Sequence, residues 1–162
     1  MEGKRFEIIE ISELSGPMAH IYSVAFDDDD LTLFDHFVED NQEHEDDIRI
    51  MIMRLRVMGN TTGCRSQYFR DNEGAPGDGV VALRQGQMRL YCLRNGNTCI
   101  FIGSGGYKSP EIAAYQEDPY LNDRNLLTRK IAAAINKAII DHDLIVEDDG
   151  RLNTTEYLDL HL

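Results

Sequence analysis

Five cations and two phenols have the types and spacing that could do chemistry in this chain. Arg84 and Arg89 flank a tight turn, Gln85-Gly86-Gln87, and so stand on neighbouring strands. Lys108 leaves the strand that follows, and Arg65 and Arg70 lie in the loop before. Gathered on one sheet surface, these side chains could form a cationic cradle. Cleaving RNA needs a base near the 2′-hydroxyl, cations around the in-line phosphate and an acid for the leaving oxygen. It requires no metal and no cofactor. Tyr91 or Tyr107 could stack a base, since RNA is commonly read by aromatic stacking on splayed bases. The catalytic candidates are thus Arg84, Arg89 and Lys108, and the RNA-binding candidates are Arg65, Arg70, Tyr91 and Tyr107. The bland alternative is that these arginines pair with acidic flanks and hold the fold together. No histidine or glutamate stands among these strands as an obvious general base.

The charge balance frames that choice. The net charge is −13 over 162 residues, which taken whole argues against nucleic acid. The total hides a segregation. Residues 1–48 carry 2 basic and 15 acidic side chains, residues 49–108 carry 9 and 3, and residues 109–162 carry 5 and 11. A basic middle lies between acidic flanks. The eleven acids from Asp27 to Asp47 either cover a solvent face or lie in part beside the basic strands and screen them. With 42% hydrophobic and 28% charged residues, the chain reads as one globular domain over 1–162. No apolar run approaches the ~18 residues of a membrane span. The N-terminus meets acid at Glu7 before any apolar stretch, so no secretory signal is expected and the expected compartment is the cytoplasm. Three cysteines without C-x-x-C fit reduced thiols.

Local patterns supply the elements that must position the candidates. Phe6–Ile11 and Ile21–Phe26 suit strands, with Gly16-Pro17 as the turn between them. Thr32 with Asp35 makes a capping box for a helix carrying Phe34, Phe37 and Val38 on one face. Ile48, Met51, Ile52, Leu55 and Met58 mark a second helix, with Glu45, Asp46 and Asp47 at its start and Gly59 as its C-cap. Residues 59–79 read as loop. Three strand signals follow, Val80–Arg84, Met88–Arg94 and Thr98–Ile102. Asn95-Gly96 predicts a type I′ turn whose register sets Cys92 opposite Cys99. Gly103-Ser104-Gly105-Gly106 ends the last strand, and a long helix covers Leu126–Leu144. Tyr157–Leu160 forms a short alternating tail. The order predicts an α+β fold: a mainly antiparallel sheet with two N-terminal helices packed on it and a long C-terminal helix.

Two further motifs carry less chemistry. His36, Asp40 and His44 share one helical face, where a cation could sit but a solvated face is the plainer reading. The Gly103–Gly106 run lacks phosphate-loop spacing and reads as close backbone passage.

Residues from about 48 to 108 resemble the RelE/ParE superfamily of toxin-like ribonucleases, in particular its HigB-like branch. The likeness lies in the helix Met51–Met58 ending in glycine, the glycine-led strand Gly79–Arg84 ending in leucine-arginine, the paired strand Met88–Arg94, and the exit through Gly103–Lys108 to a lysine. Ala82 stands where the family often has an acid. The resemblance implies a RelE-like domain with an N-terminal strand pair and a C-terminal helical extension. It implies the toxin-like half of a type II toxin–antitoxin pair, with metal-independent endoribonuclease action on mRNA, free or on the ribosome. A cognate antitoxin would be the protein partner, and a homo-oligomer stays open. The contrasting expectation is a non-catalytic protein-interaction module that keeps the fold.

Overall fold

β-branched and aromatic residues alternate along the strands, and helices bury both sides of the resulting sheet. The structure, a computed structural model, describes residues 3–71, 77–111 and 117–162. In chain order it has β1 (Arg5–Glu10), β2 (His20–Phe26), α1 (Leu33–Asp40), α2 (Glu45–Val57), β3 (Arg70–Asp71), β4 (Val80–Gln85), β5 (Met88–Asn95), β6 (Cys99–Tyr107), α3 (Pro119–Ile140), β7 (Leu144–Val146), β8 (Leu152–Thr154) and β9 (Leu160–His161). A seven-stranded sheet runs β3-β4-β5-β6-β2-β1-β9, and β7 pairs with β8 alone. β2 lies parallel to β6, from His20 beside Cys99 to Ser23 beside Ile102, and the other pairs are antiparallel. The fold is α+β with a mainly antiparallel sheet and one long helix near the C-terminus. The two earlier helices follow the first strand pair and are joined by a 3-10 turn, Gln42–His44.

Each face of the sheet has its own core. Val80, Ala82, Tyr91, Leu93 and Phe101 pack with Leu121, Ile131, Ala132 and Ile135 of α3. Val81, Leu83, Leu90, Cys92, Ile100 and Ile102 pack with Phe34 and Phe37 of α1 and Ile48, Met51 and Leu55 of α2. Each valine, leucine, isoleucine, phenylalanine or methionine among them contributes about 1.5–3 kcal/mol on burial. Among the described residues no helix is long and apolar enough to cross a membrane.

Local chemistry explains the element ends. The capping box at α1 is present: Thr32 Oγ1 accepts from the Asp35 N–H at 3.1 Å, and Asp35 Oδ2 accepts from the Thr32 N–H at 3.0 Å. Gly59 is not the cap of α2. The helix widens into a π turn over Met58–Thr62 and stops at Gly63, whose φ is 78°. Gly59 is small for another reason, since a Cβ there would lie 2.0 Å from the Leu14 carbonyl oxygen. α3 starts at Pro119, not Leu126. Asp118 caps it by accepting the Tyr120 and Leu121 N–H groups, and Pro119 suits the first turn. It ends at Ile140, and Leu144 begins β7 instead.

Two expectations about the last strand are corrected. Asn95 pairs with Cys99, so the hairpin loop holds three residues and Cys92 faces Ile102 rather than Cys99. The loop carbonyls serve neighbours, Asn97 accepting from the Cys64 N–H and Thr98 from the His20 N–H, so tertiary bonds select the register. All three cysteines are buried and unpaired, and burial pushes the Cys64 thiol up to about 12 and raises Cys92 and Cys99 further. The second correction is that β6 continues through Gly103–Gly106. A Cβ at Gly103 would lie 2.5 Å from Thr128 Oγ1, and one at Gly106 2.8 Å from the Tyr120 ring. The missing side chains let α3 settle onto the strand, where Thr128 Oγ1 accepts from the Ser104 N–H at 3.1 Å.

Candidate functional site

The turn between β4 and β5 has two central residues, Gly86 and Gln87, with φ 55° at Gly86. That short connection sets the register locally and places Arg84 directly opposite Arg89. Alternation with Ala82 and Tyr91 puts both arginines on the α3 side of the sheet. Arg70 of β3 follows from its pairing with Ala82. Arg54 arrives from α2 at the sheet edge, its Nη1 donating to the Arg84 carbonyl at 2.6 Å and its Nη2 to the Tyr68 carbonyl at 3.5 Å. The four guanidinium groups line one cavity of about 380 Å³ with Gln67, Tyr68, Phe69 and Gly86.

Arg89 is the anchored member. It is only 8% exposed, and its Nη1 donates to the carbonyls of Gly86 and Met88, each at 2.9 Å. Burial first, and then the Arg84 cation, lower its pKa from the ordinary guanidinium value. Among the described residues no ion pair involves Arg54, Arg70, Arg84 or Arg89. A described carboxylate beside the turn is that of Asp47, whose Oδ2 would lie 2.9 Å from a Cβ at Gly86. Such an arrangement can hold an anion bearing several oxygens, because guanidinium forks match phosphate geometry. Among the described residues its lining holds no histidine, aspartate or glutamate.

The other expected site residues distribute differently. Lys108 donates its N–H to the Gln87 carbonyl at 2.8 Å, which sets it at the same end of the sheet but outside the cavity lining. Arg65 lies toward the β5–β6 hairpin: its neighbour Cys64 bonds Asn97, and its own Nε donates to the Thr62 carbonyl at 3.1 Å. Tyr91 is 1% exposed and packed in the α3-side core, so its ring has no face for a base. Tyr107 is 38% exposed and stacks on His44 with ring centres 4.4 Å apart, on the α1–α2 side. Arg54 was missed, since nothing local links a helix residue to Arg84 thirty positions on.

The acidic segment divides. Asp27, Asp28 and Asp29 pair with Arg5, Lys4 and His36 on the β1–β2 half of the sheet, away from the cavity. Its far end reaches the β4–β5 turn through Asp47. His36 and His44 have separate partners, Asp29 and Tyr107, so the expected shared helical face does not gather them. No family model matches this chain, no curated protein matches it, and no solved structure matches it.

Proposed function

We propose that this chain is a toxin-like cytoplasmic protein with a RelE-like core, which grips the phosphate backbone of RNA through the Arg54–Arg70–Arg84–Arg89 cavity and is held in check by a cognate antitoxin. The cavity carries the reading: four guanidinium groups share one opening, and no described carboxylate pairs with any of them. The residues behind the resemblance fold in support of it, as a helix followed by antiparallel strands with Arg84 opposite Arg89. An RNA phosphate entering the cavity meets Arg89 already oriented by two carbonyls and Arg84 beside it. In-line attack by a 2′-hydroxyl would build negative charge where these donors converge, and one such donor is worth about 10²–10³ in kcat.

The lining favours a second reading for one specific reason. Among its described lining residues there is no histidine, aspartate or glutamate, which leaves the Tyr68 phenol as the ordinary acid–base group for the proton transfers of strand cleavage. A non-catalytic interaction module would use the same cavity to clasp an acidic partner segment.

One experiment separates the readings. Single-stranded RNA is titrated at several salt concentrations against the wild type, Arg84→Gln and Arg89→Gln, with RNA length followed on the same samples. Phosphate binding predicts a log–log salt slope that falls by about 0.7 for each arginine removed. Cleavage that disappears in Arg89→Gln and survives in Arg65→Gln assigns the enzyme, whereas bound and intact RNA assigns the module. Absent binding at low salt removes RNA as the ligand. Induced expression with growth followed then tests toxicity.

A further inference from the structure

β2 and β6 run parallel, and their chains leave toward opposite faces. β2 passes to α1 and α2, whose Phe34, Phe37, Met51 and Leu55 cover one face. The chain after β6 returns as α3, whose Leu121, Ile131 and Ile135 cover the other. Backbones that diverge from adjacent parallel strands open a crevice outside their carboxyl ends, the place where open α/β sheets take ligands. Such a crevice is present. A cavity of about 380 Å³ lies between α1 and α3, bordered by Phe26 of β2 and Ser104 and Gly105 of β6. That volume falls among those of small-molecule pockets, ~300–1,000 Å³.

Its walls carry complementary polar groups. Two cations come from separate elements. Lys4 Nζ sits 4.5 Å from the centre of the Phe26 ring and 3.7 Å from Asp28. The Arg124 guanidinium lies 5.4 Å from the Tyr120 ring centre. Among the described residues Arg124 has no ion pair, and its buried Nε has no hydrogen-bond partner. Opposite, His36 Nε2 bonds Asp29 Oδ2 at 2.5 Å, while Asp29 Oδ1 accepts from the Leu31 N–H at 2.9 Å. That pair orients the imidazole and leaves Nδ1 as its second bonding position. Asp40 adds a further carboxylate from α1.

We propose that this crevice binds a small phosphate ester bearing hydroxyl or amine groups, of nucleoside monophosphate size. A dianionic phosphate suits two cations held on separate elements, Lys4 and Arg124. The ligand's hydroxyl or amine donors meet Asp40 and the His36–Asp29 pair, and Phe26, Leu33 and Leu127 take its apolar body. This site is distinct from the arginine cavity and stands on its own observations.

The test is calorimetric titration of the full chain with AMP, CMP and inorganic phosphate as probes, on the wild type, Arg124→Gln, Lys4→Gln and Arg49→Gln. Nucleotide binding saturates, inorganic phosphate binds more weakly, and Arg124→Gln or Lys4→Gln each weakens nucleotide binding about tenfold. Arg49→Gln, on the exposed face of α2 and in neither cavity, stays within about twofold of wild type. Lys4 lies on a separate element from Arg124, so its variant keeps the test decisive if Arg124→Gln does not fold. Absence of saturation by about 10 mM nucleotide overturns the proposal. So does a loss as large in Arg49→Gln as in Lys4→Gln and Arg124→Gln, or phosphate binding as tight as nucleotide.

Discussion

Arg89 in the cavity and Arg129 on α3 are both desolvated arginines, and the structure closes them in opposite ways. Arg129 bonds Asp78 Oδ2 at 2.5 Å and Asn125 Oδ1 at 2.9 Å, with side-chain exposures of 16% for Arg129 and 23% for Asp78. Asp78 in turn accepts the Val80 N–H, and its carbonyl accepts from Asn136. That cluster staples the start of β4 to α3 and is neutral. Arg89 and Arg54 instead spend donors on carbonyls, which fix their position without cancelling their charge. The comparison shows how one residue type serves two purposes. A guanidinium closed by a carboxylate has its charge cancelled, and one closed by carbonyls keeps it. Among the described residues Arg5, Arg49, Arg129 and Arg151 pair with acids, and the cavity arginines have no ion pair.

The sharpest way to break that contrast is at Asp78. Asp78→Ala leaves Arg129 partly buried without its carboxylate and should lower unfolding free energy by about 2–3 kcal/mol in urea titrations. Replacing both partners by apolar residues should cost much less. A loss below ~0.5 kcal/mol for Asp78→Ala would erase the distinction.

Arg84→Gln is the counterpart. It removes a cation beside Arg89 and should leave stability within about 0.5 kcal/mol of wild type, or raise it, in the same titrations. A loss as large as that of Asp78→Ala would make the cavity structural.

The acids sharpen the comparison on the ligand side. At ~0.15 M salt the Debye length is about 8 Å. Replacing Asp27 to Asp30 together by Asn should then leave RNA affinity within about twofold, because Asp27, Asp28 and Asp29 face Arg5, Lys4 and His36. Asp47→Asn, beside Gly86, should tighten RNA binding about two- to threefold. The reverse order would put the screening charge at Asp27–Asp30.

The smallest effect is at Asp29. The Leu31 N–H first, and then the His36 side chain, hold its carboxyl below the ordinary value. A lowered folded-state pKa contributes stability above the ordinary carboxylate range near ~4, and that contribution is lost as pH falls through the folded value. The urea-midpoint gap between wild type and Asp29→Asn should narrow as pH drops from about 5 toward 2. A gap independent of pH would separate the His36–Asp29 bond from stability.

The legible parts of the site were those set by neighbours in sequence. Arg84 faces Arg89 because a two-residue turn leaves one register, and Thr32 with Asp35 announces a cap because both bonds close within one helical turn. Tyr91 was not legible as core. With helices on both faces of the sheet, its strand is apolar on each side, so alternation no longer distinguishes inside from outside. The Gly103–Gly106 run looked like a strand end because glycine weakens strands, and only the approach of Thr128 and Tyr120 shows why it lies within one.

By itself the sequence determined the α+β class, the identity of most strands and helices, and the segregation of a basic middle from acidic flanks. Each of these rests on interactions within one turn, one hairpin or one periodic stretch. The tertiary structure alone decided that Arg54 joins Arg70, Arg84 and Arg89, that Asp27 to Asp29 serve the opposite half of the sheet, and that parallel pairing of β2 with β6 opens a second cavity. These depend on which distant strands become neighbours, and that is settled by the shared burial of two cores rather than by any local pattern.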